Sequence, residues 1–339
     1  MKRWQLWLGV IISLFFIGWV LKDLLPVLDE FWIAVISANY WWIFPGIAVY
    51  LLAVWVRAWR WHYLLRPIKP VSTRVMFPIV AIGYLANNIL PARAGELVRA
   101  ALLKNRQGIS ISASLATVIV ERVFDGLVML SFIFINLPEL MRLTGGSGVA
   151  GEVSIRNIAI WGSLFFFSAL LIFLLAAMFP VQSERLLERL ADRWVPKRYR
   201  DKLLSLAKRF LEGLKSLRSP VDVLMVFLTS VVIWLLETGK YWFVMHGFPF
   251  QVSFFALMLM NGVVNLATTI PSAPGYVGTF DKPGIEVLKA YGVSTAVASG
   301  YTLVLHISLW ASANLLGLFF LWKEGIRWKD SLAGITHET

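Results

Sequence analysis

Six long apolar stretches dominate the chain: Trp4–Leu21, Tyr40–Trp59, Ser110–Leu137, Asn157–Phe179, Val221–Met245 and Val293–Trp322. About 20 apolar residues suffice for a helix to cross the hydrocarbon of a bilayer, so each predicts a spanning helix. Trp4–Leu21 follows Lys2 and Arg3, as the core of a signal peptide would, but Lys22-Asp23 comes next in place of a small-residue cleavage site. It reads as an uncleaved first span. Two further stretches, Val75–Leu90 and Val252–Ile270, run into helix breakers, Pro91-Ala92-Arg93-Ala94-Gly95 and Pro271-Ser272-Ala273-Pro274-Gly275. Between the fourth and fifth spans, Val181–Ser219 is polar. Its Leu186, Leu187, Leu190, Trp194, Leu203, Leu206, Phe210 and Leu214 recur at helical spacing among predominantly basic residues. This predicts a pair of amphipathic helices along the cytoplasmic leaflet, drawn to anionic headgroups, or else a solvated linker. Gly145-Gly146-Ser147-Gly148 predicts a flexible turn in a short outer loop.

Charge decides how the two broken stretches are drawn, because cytoplasmic loops collect Lys and Arg. Arg57, Arg60, Arg66, Lys69 and Arg74 precede Val75–Leu90, and Arg93, Arg99, Lys104 and Arg106 follow it. A full crossing would strand one cluster outside. Entry to mid-depth and return through Glu96–Lys104 keeps both inside. Val252–Ile270 then dips from the outer face and returns through Asp281–Tyr291. This drawing puts 25 of the 32 Lys and Arg in the cytoplasm, 5 outside and 2, Arg122 and Lys240, within spans. Both termini are cytoplasmic.

The expected fold is therefore an all-α polytopic membrane protein, one transmembrane domain over residues 1–339. It has about six full spans plus two re-entrant helical hairpins. Span two, hairpin and span three form one unit, and span five, hairpin and span six form another of opposite orientation. Such inverted repeats with broken helices place ligand sites near the bilayer midplane. Irregular backbone at that depth must be buried in protein or line a wet cavity.

Composition agrees. Of 339 residues, 58% are hydrophobic and 15% charged, against about 25% charged in soluble domains. The 16 Trp and 23 Phe suit bilayer interfaces. There is no Cys, and the four His lack metal-ligand spacing. No Walker, Rossmann, HExxH or Gly-x-Ser-x-Gly motif occurs. No enzyme activity, cofactor, metal or nucleic-acid partner is expected.

The chemistry gathers at the two turns and in three spans. After Asn87-Asn88, Pro91 ends one helix and Gly95 permits tight or left-handed backbone. The free amides of the returning helix, with Arg93 and Arg99, would cradle a phosphate, and Glu96 sits in its first turn. The bland alternative is a capped, salt-bridged turn. Ser110, Ser114, Thr117, Glu121 and Asp125 follow at steps of 4, 3, 4 and 4, on one helix face. Arg122 is placed to pair with Asp125, and Arg93 or Arg99 with the other carboxylate. Charges inside a span face a bundle interior or water. They are a coupling device or a static ion-pair lock. Glu237 and Lys240 form an i,i+3 pair that is a gate or a structural bridge. Asn261, Asn265, Thr268 and Thr269 make a polar stripe leading into the second turn, where Asp281 before Lys282-Pro283 reads as an N-cap. His306 and Asn314 lie in the last span, read as packing and as interhelical glue.

Three segments together, Asn88-Ile-Leu-Pro-Ala-Arg-Ala-Gly-Glu-Leu-Val-Arg99, Val120-Glu-Arg-Val-Phe-Asp125 and Ile270-Pro-Ser-Ala-Pro-Gly-Tyr-Val-Gly-Thr-Phe280, resemble the lysylphosphatidylglycerol synthase transmembrane region, also called the flippase-like family. Arg93, Glu96, Arg99, Glu121, Arg122 and Asp125 match its motif positions. Where the family usually has Glu and Arg, this chain has Asp281 and His306. Fuller members carry a cytoplasmic aminoacyl-transferase domain, whereas this chain ends 17 residues after Trp322. The resemblance implies the lipid-translocating part alone, in the cytoplasmic membrane. The substrate would be a phospholipid or polyprenyl-phosphate-linked headgroup, the partners anionic or phosphate-bearing lipids. Asn88, Arg93, Glu96, Arg99, Arg122, Asn265, Ser272, Gly275 and Tyr276 are the expected substrate-binding set. Glu121, Asp125, Glu237, Lys240, Asp281 and His306 are the expected coupling or gating set. A membrane headgroup or glycosyl transferase is the enzymatic rival, but no Asp-x-Asp metal pair is present. A homo-oligomer, or assembly with a separate lipid synthase, completes the set of expected partners.

Overall fold

A computed structural model describes residues 3–90, 94–143, 149–150, 153–269 and 272–325. The protein is an all-α membrane protein. Its helices are α1 (Arg3–Leu24), α2 (Leu28–Ile36), α3 (Ile43–Leu65), α4 (Thr73–Ile89), α5 (Gly95–Gln107), α6 (Ile111–Leu143), α7 (Ile155–Met178), α8 (Pro180–Trp194), α9 (Lys197–Gly213), α10 (Pro220–Met245), α11 (Phe254–Ala267), α12 (Asp281–Ala290) and α13 (Thr295–Lys323). Serine hydroxyls open three of them. Ser219, Ser253 and Ser294 accept from the amides of Asp222, Ala256 and Val297 at the starts of α10, α11 and α13, satisfying donors that a helix start leaves free. Pro180 starts α8 and turns it 107° from the end of α7.

Gly9–Ile36, Tyr40–Leu65, Pro220–Met245 and Thr295–Lys323 are long and apolar enough to cross a membrane, and the bent pair of α7 and α8 offers a fifth span. The count reaches six only with α6, whose 33 residues carry Glu121, Arg122 and Asp125. The first span is longer than expected. Pro26 sits in a 3-10 turn, Leu25–Val27, that carries α1 into α2, so the helical path continues past Lys22-Asp23. Asp23 is neutralised there by Lys282 of α12, at 2.5 Å. The polar segment forms two amphipathic helices, α8 and α9, as expected. The Gly145–Gly148 turn lies outside the described residues.

Both broken stretches are helix–break–helix units, α4–α5 and α11–α12. The packing repeats when the two halves are exchanged. α3 lies along α10 at the centre, α4 packs on α13, and α11 packs on α6. Each cross-pair closes on a glycine. A Cβ at Gly317 of α13 would lie 2.9 Å from Ala81 O of α4, and one at Gly262 of α11 would lie 3.1 Å from Met129 O of α6. Small residues let helix backbones approach where lipid gives no hydrophobic drive to association. Two apolar cores result, one around Trp61, Leu64, Met76, Ile79 and Leu103, the other around Tyr241, Leu257, Met260, Leu288 and Tyr301. Leu14, Phe15, Ile36, Leu171 and Leu315 face outward, as a bilayer solvent permits.

Candidate functional site

The charged residues of α3, α5, α6 and α10 meet between these cores. Arg60 of α3 is 1% exposed and grips Asp125 with both amino groups, at 2.5 and 3.2 Å, while donating to Ser230 of α10 at 2.8 Å. Trp234 Nε1 donates to the same Asp125 at 2.9 Å. Arg99 holds Glu121 with both amino groups, at 3.2 and 3.4 Å, and lies 4.2 Å from the centre of the Trp61 ring. Arg122 joins Glu96, at 3.0 Å, to Asp125, at 3.5 Å. Glu237 accepts from Arg57 at 2.7 Å and from Lys240. Isolated buried charges cost several kcal/mol each, and pairing offsets this, although Nε of Arg60 and of Arg99 is left without a hydrogen-bond partner. Arg57, Arg60, Arg99, Arg122 and Lys240 face Glu96, Glu121, Asp125 and Glu237, so the described cluster carries one excess positive charge.

One edge of this cluster is open. A cavity with an empty volume of about 870 Å³ is walled by both halves of the molecule. Arg57, Arg122 and Lys240 line it, and among its described lining residues the only carboxylate is Glu237. Asn87, Asn88, Asn265, Tyr50, Tyr84 and His306 add hydrogen-bonding groups. Such a cavity suits an anion with several polar substituents.

The second turn forms the opposite wall. Gly275 and Gly278 adopt φ of +77° and +83°, and Tyr276 adopts +59°, which L side chains rarely do. His306 Nδ1 lies 2.8 Å from Asp281 Oδ1 and its Nε2 lies 2.7 Å from Gly275 O. Asp281 and His306 therefore touch each other, and together they tie the turn to α13. Asp281 Oδ2 also accepts from the Gly278 amide at 2.8 Å.

The expected site residues divide. Asn88, Arg122, Asn265, Gly275, Tyr276, Glu237, Lys240 and His306 line the cavity. Glu96, Arg99, Glu121 and Asp125 belong to the ion-pair network but do not line it, and Ser272 does not line it either. Arg93 lies outside the described residues. Asn314 bridges helices as expected, accepting from Asn88 at 3.2 Å.

Two readings are corrected. Arg57 and Arg60 are not loop residues: α3 runs on to Leu65 and buries both, because Glu237 and Asp125 await them. Asp281 is not an N-cap; it is the first residue of α12, and its carboxylate serves Gly278 and His306. Of the two conformations open to Gly95, tight and left-handed, it takes the tight one: it allows α5 to press on α4, where a Cβ would run into Gly83 O, and its amide is already bound by Asn87 Oδ1 at 2.8 Å. Sequence reasoning missed Tyr50, Arg57, Tyr84 and Trp234 as lining residues. The available signal was Arg57 and Arg60 at i,i+3 inside an apolar run that continues through Trp61, Leu64 and Leu65. Among the described residues, no group of three or more His, Asp or Glu is placed to hold a metal ion.

Comparison with known proteins agrees with this architecture. A UPF0104 membrane protein of Methanothermobacter thermautotrophicus is 25% identical over 296 residues, 85% of this chain and 84% of its own length. A UPF0104 membrane protein of Methanocaldococcus jannaschii is 22% identical over 298 residues, 86% of this chain and 87% of its own. The glycosyltransferase AglD of Haloferax volcanii is 25% identical over 261 residues, which cover 70% of this chain and 41% of AglD. No solved structure matches. The family profile described as the lysylphosphatidylglycerol synthase TM region matches residues 6–317, and the chain belongs to that family.

Proposed function

We propose that this protein moves the anionic headgroup of a lipid, a phospholipid or a polyprenyl-phosphate-linked lipid, across the cytoplasmic membrane. The observation that carries this reading is the cationic cavity: Arg57, Arg122 and Lys240 against Glu237, at the meeting of two broken-helix units. A phosphate entering it exchanges water for guanidinium and ammonium donors, which lowers the barrier that hydrocarbon sets against a charge. The tails need never leave the bilayer. Glu96 and Asp125 hold Arg122 in place from behind, and Glu237 holds Arg57 and Lys240. Both termini and the basic helices α8 and α9 face the cytoplasm in this reading, which follows the inside preference of Lys and Arg.

The test is reconstitution into liposomes with fluorescently labelled lipids, scored by accessibility of the label to an impermeant reductant. The wild-type chain should speed headgroup exposure of an anionic lipid over protein-free vesicles, and Lys240→Gln should slow it about tenfold. Equal rates for wild type, variant and empty vesicles would reject the reading.

A second reading, headgroup or glycosyl transfer, draws on the likeness to AglD, which is named as a glycosyltransferase. It requires a new lipid species in the same vesicles, detectable by mass spectrometry when a sugar donor is supplied. The transport reading requires none.

A further inference from the structure

Beside the cationic cavity runs a second, apolar one. Ile17, Val20 and Leu21 of α1, Phe31 of α2, Val277 of the second turn and Leu303 of α13 line it, with an empty volume of about 560 Å³. Helix α1 is fastened above and below this space. At one end Ser13 Oγ accepts from the Ala273 amide at 2.9 Å, and Gly278 fits so closely that a Cβ there would lie 2.7 Å from Phe16 Cβ. At the other end Asp23 meets Lys282, which is also held by Glu286 at 2.7 Å and lies 4.5 Å from the centre of the Trp19 ring. Between these clamps Ile17, Leu21 and Leu24 of α1 line the space, while Val20 also packs against the apolar core around Leu288 and Tyr301. An apolar wall facing empty space forfeits dispersion contacts, so such a space favours an apolar occupant.

A third space joins the two. It has an empty volume of about 790 Å³ and shares Asn88, Gly275, His306 and Trp310 with the cationic cavity, and Val277, Asp281 and Leu303 with the apolar one. Its rim includes Ile307 and Trp310, which are exposed on the outer surface of α13. The sequence of linings is thus cationic, then mixed around His306 and Asp281, then apolar. That is the polarity profile of a lipid read from phosphate through the glycerol or sugar region to the chain.

We infer that the groove between α1, α2, α12 and α13 seats one hydrocarbon chain of the lipid whose anionic head occupies the cavity. The inference rests on the lipid-translocation reading and adds where the tail goes. His306 and Asp281 mark the boundary between head and tail. The exposed Ile307 and Trp310 at the rim of the joining space give a chain an apolar way in from the side of α13.

The chain has no native cysteine, so single reporters are simple to place. Leu21→Cys, at the groove, and Leu171→Cys, on the exposed face of α7, are each labelled with bimane in phosphatidylcholine nanodiscs. The discs contain acyl-brominated phosphatidylglycerol or acyl-brominated phosphatidylcholine at equal mole fraction. At position 21 the anionic lipid should quench at least threefold more strongly than the zwitterionic one, and at position 171 the two should quench alike. Adding Lys240→Gln should erase the preference at position 21. Equal quenching by both lipids at position 21 overturns the inference. An unlabelled check is Val20→Trp, which fills the groove: it should slow movement of a two-chain lipid severalfold and spare a short-chain analogue, whereas equal effects on both would also overturn it. Headgroup movement that depends on Lys240 without preferential quenching at position 21 removes the groove and leaves transport. Preferential quenching without movement removes transport and leaves the groove.

Discussion

The two broken-helix units occupy matching places in the fold and are built from opposite materials. Around the first, α4–α5, the contacts are ionic: Arg99 to Glu121, Glu96 to Arg122, and Arg122 on to Asp125 and Arg60. Around the second, α11–α12, the turn carries uncharged polar groups and unusual backbone, Asn261, Asn265, Thr268, Gly275, Tyr276 and Gly278. Its tie to α13 is His306, with Asp281 and Gly275 O, and among the described residues its one strong ionic tie to another helix is Lys282 with Asp23 of α1. The contrast separates two tasks. A network of guanidinium–carboxylate pairs is stiff, because releasing one partner leaves a buried charge. The second turn is held to α13 by one imidazole and can release from that helix at lower cost, while α12 stays paired with α1 through Lys282 and Asp23. On the proposed function, the first half supplies the fixed positive field and the second half supplies the part that moves.

The largest effect should come from breaking the stiff half. Arg60→Met leaves Asp125 with only part of its compensation, and breaking a buried pair this way costs about 3–5 kcal/mol. Thermal unfolding followed by light scattering and size exclusion in detergent should show most of the protein lost. The double variant Arg60→Met, Asp125→Leu should recover much of it, since an apolar pair of similar volume removes the orphaned charge. Failure of the double variant to recover would mean that Arg60 acts through Ser230 and packing instead of through charge.

Next in size is the functional effect of a cation that lines the cavity. Lys240→Gln leaves Glu237 bound to Arg57, so stability should fall by only about 1 kcal/mol while lipid movement slows about tenfold. Glu121→Gln is the complementary case. Glu121 is buried behind the cavity, paired with Arg99, so its loss should lower stability more than it alters lipid selectivity. If Glu121→Gln changes selectivity as much as Lys240→Gln does, the division between supporting and lining charges is wrong.

Much of this architecture was legible in the sequence, for a reason that also explains what was not. Apolar run length and Pro/Gly breaks report local backbone chemistry, and they gave α4–α5, α11–α12 and the amphipathic pair α8–α9 within a few residues. Glu121, Asp125, Glu237 and Lys240 stood out because a charge inside an apolar run is costly unless paired. Arg57 and Arg60 did not, because they stand near the end of a run and the inside preference for basic residues accounts for them equally well. Their partners Glu237 and Asp125 lie 180 and 65 positions away, a separation no local pattern encodes. Lys22-Asp23 misled in the same way. It reads as the end of a span until Lys282 is brought beside it.

The movable half invites a smaller perturbation. His306→Phe keeps the ring against Phe280, 4.4 Å away between centroids, but removes both hydrogen bonds. The expected loss is about 1–3 kcal/mol, confined to the turn. Labelling of a cysteine placed at Val277, which is exposed, should become severalfold faster in this variant. A cysteine placed at Leu97 on α5, also exposed, should label at an unchanged rate. Equal acceleration at both positions would mean that the two units open together, and the assignment of rigidity to the first would fall.

The smallest effect tests the seam between them. Asn88, next to the break of α4, donates to Asn314 of α13, a polar bond between the first unit and the last helix of the second half. Interhelical hydrogen bonds of this kind average about 0.6 kcal/mol in double-mutant cycles within membranes, because the separated helices find other partners. Asn88→Ala, Asn314→Ala and the double variant should therefore show a coupling of about that size in unfolding from detergent. Asn88 borders both the cavity and the space beside Trp310, so ligand offers a sharper reading. If the bond is part of the resting closure between halves, the coupling should shrink when anionic lipid is added, since a headgroup would compete for the Asn88 amide. If the coupling is the same with and without lipid, the bond is packing alone, and the moving boundary lies at His306, about two turns away along α13.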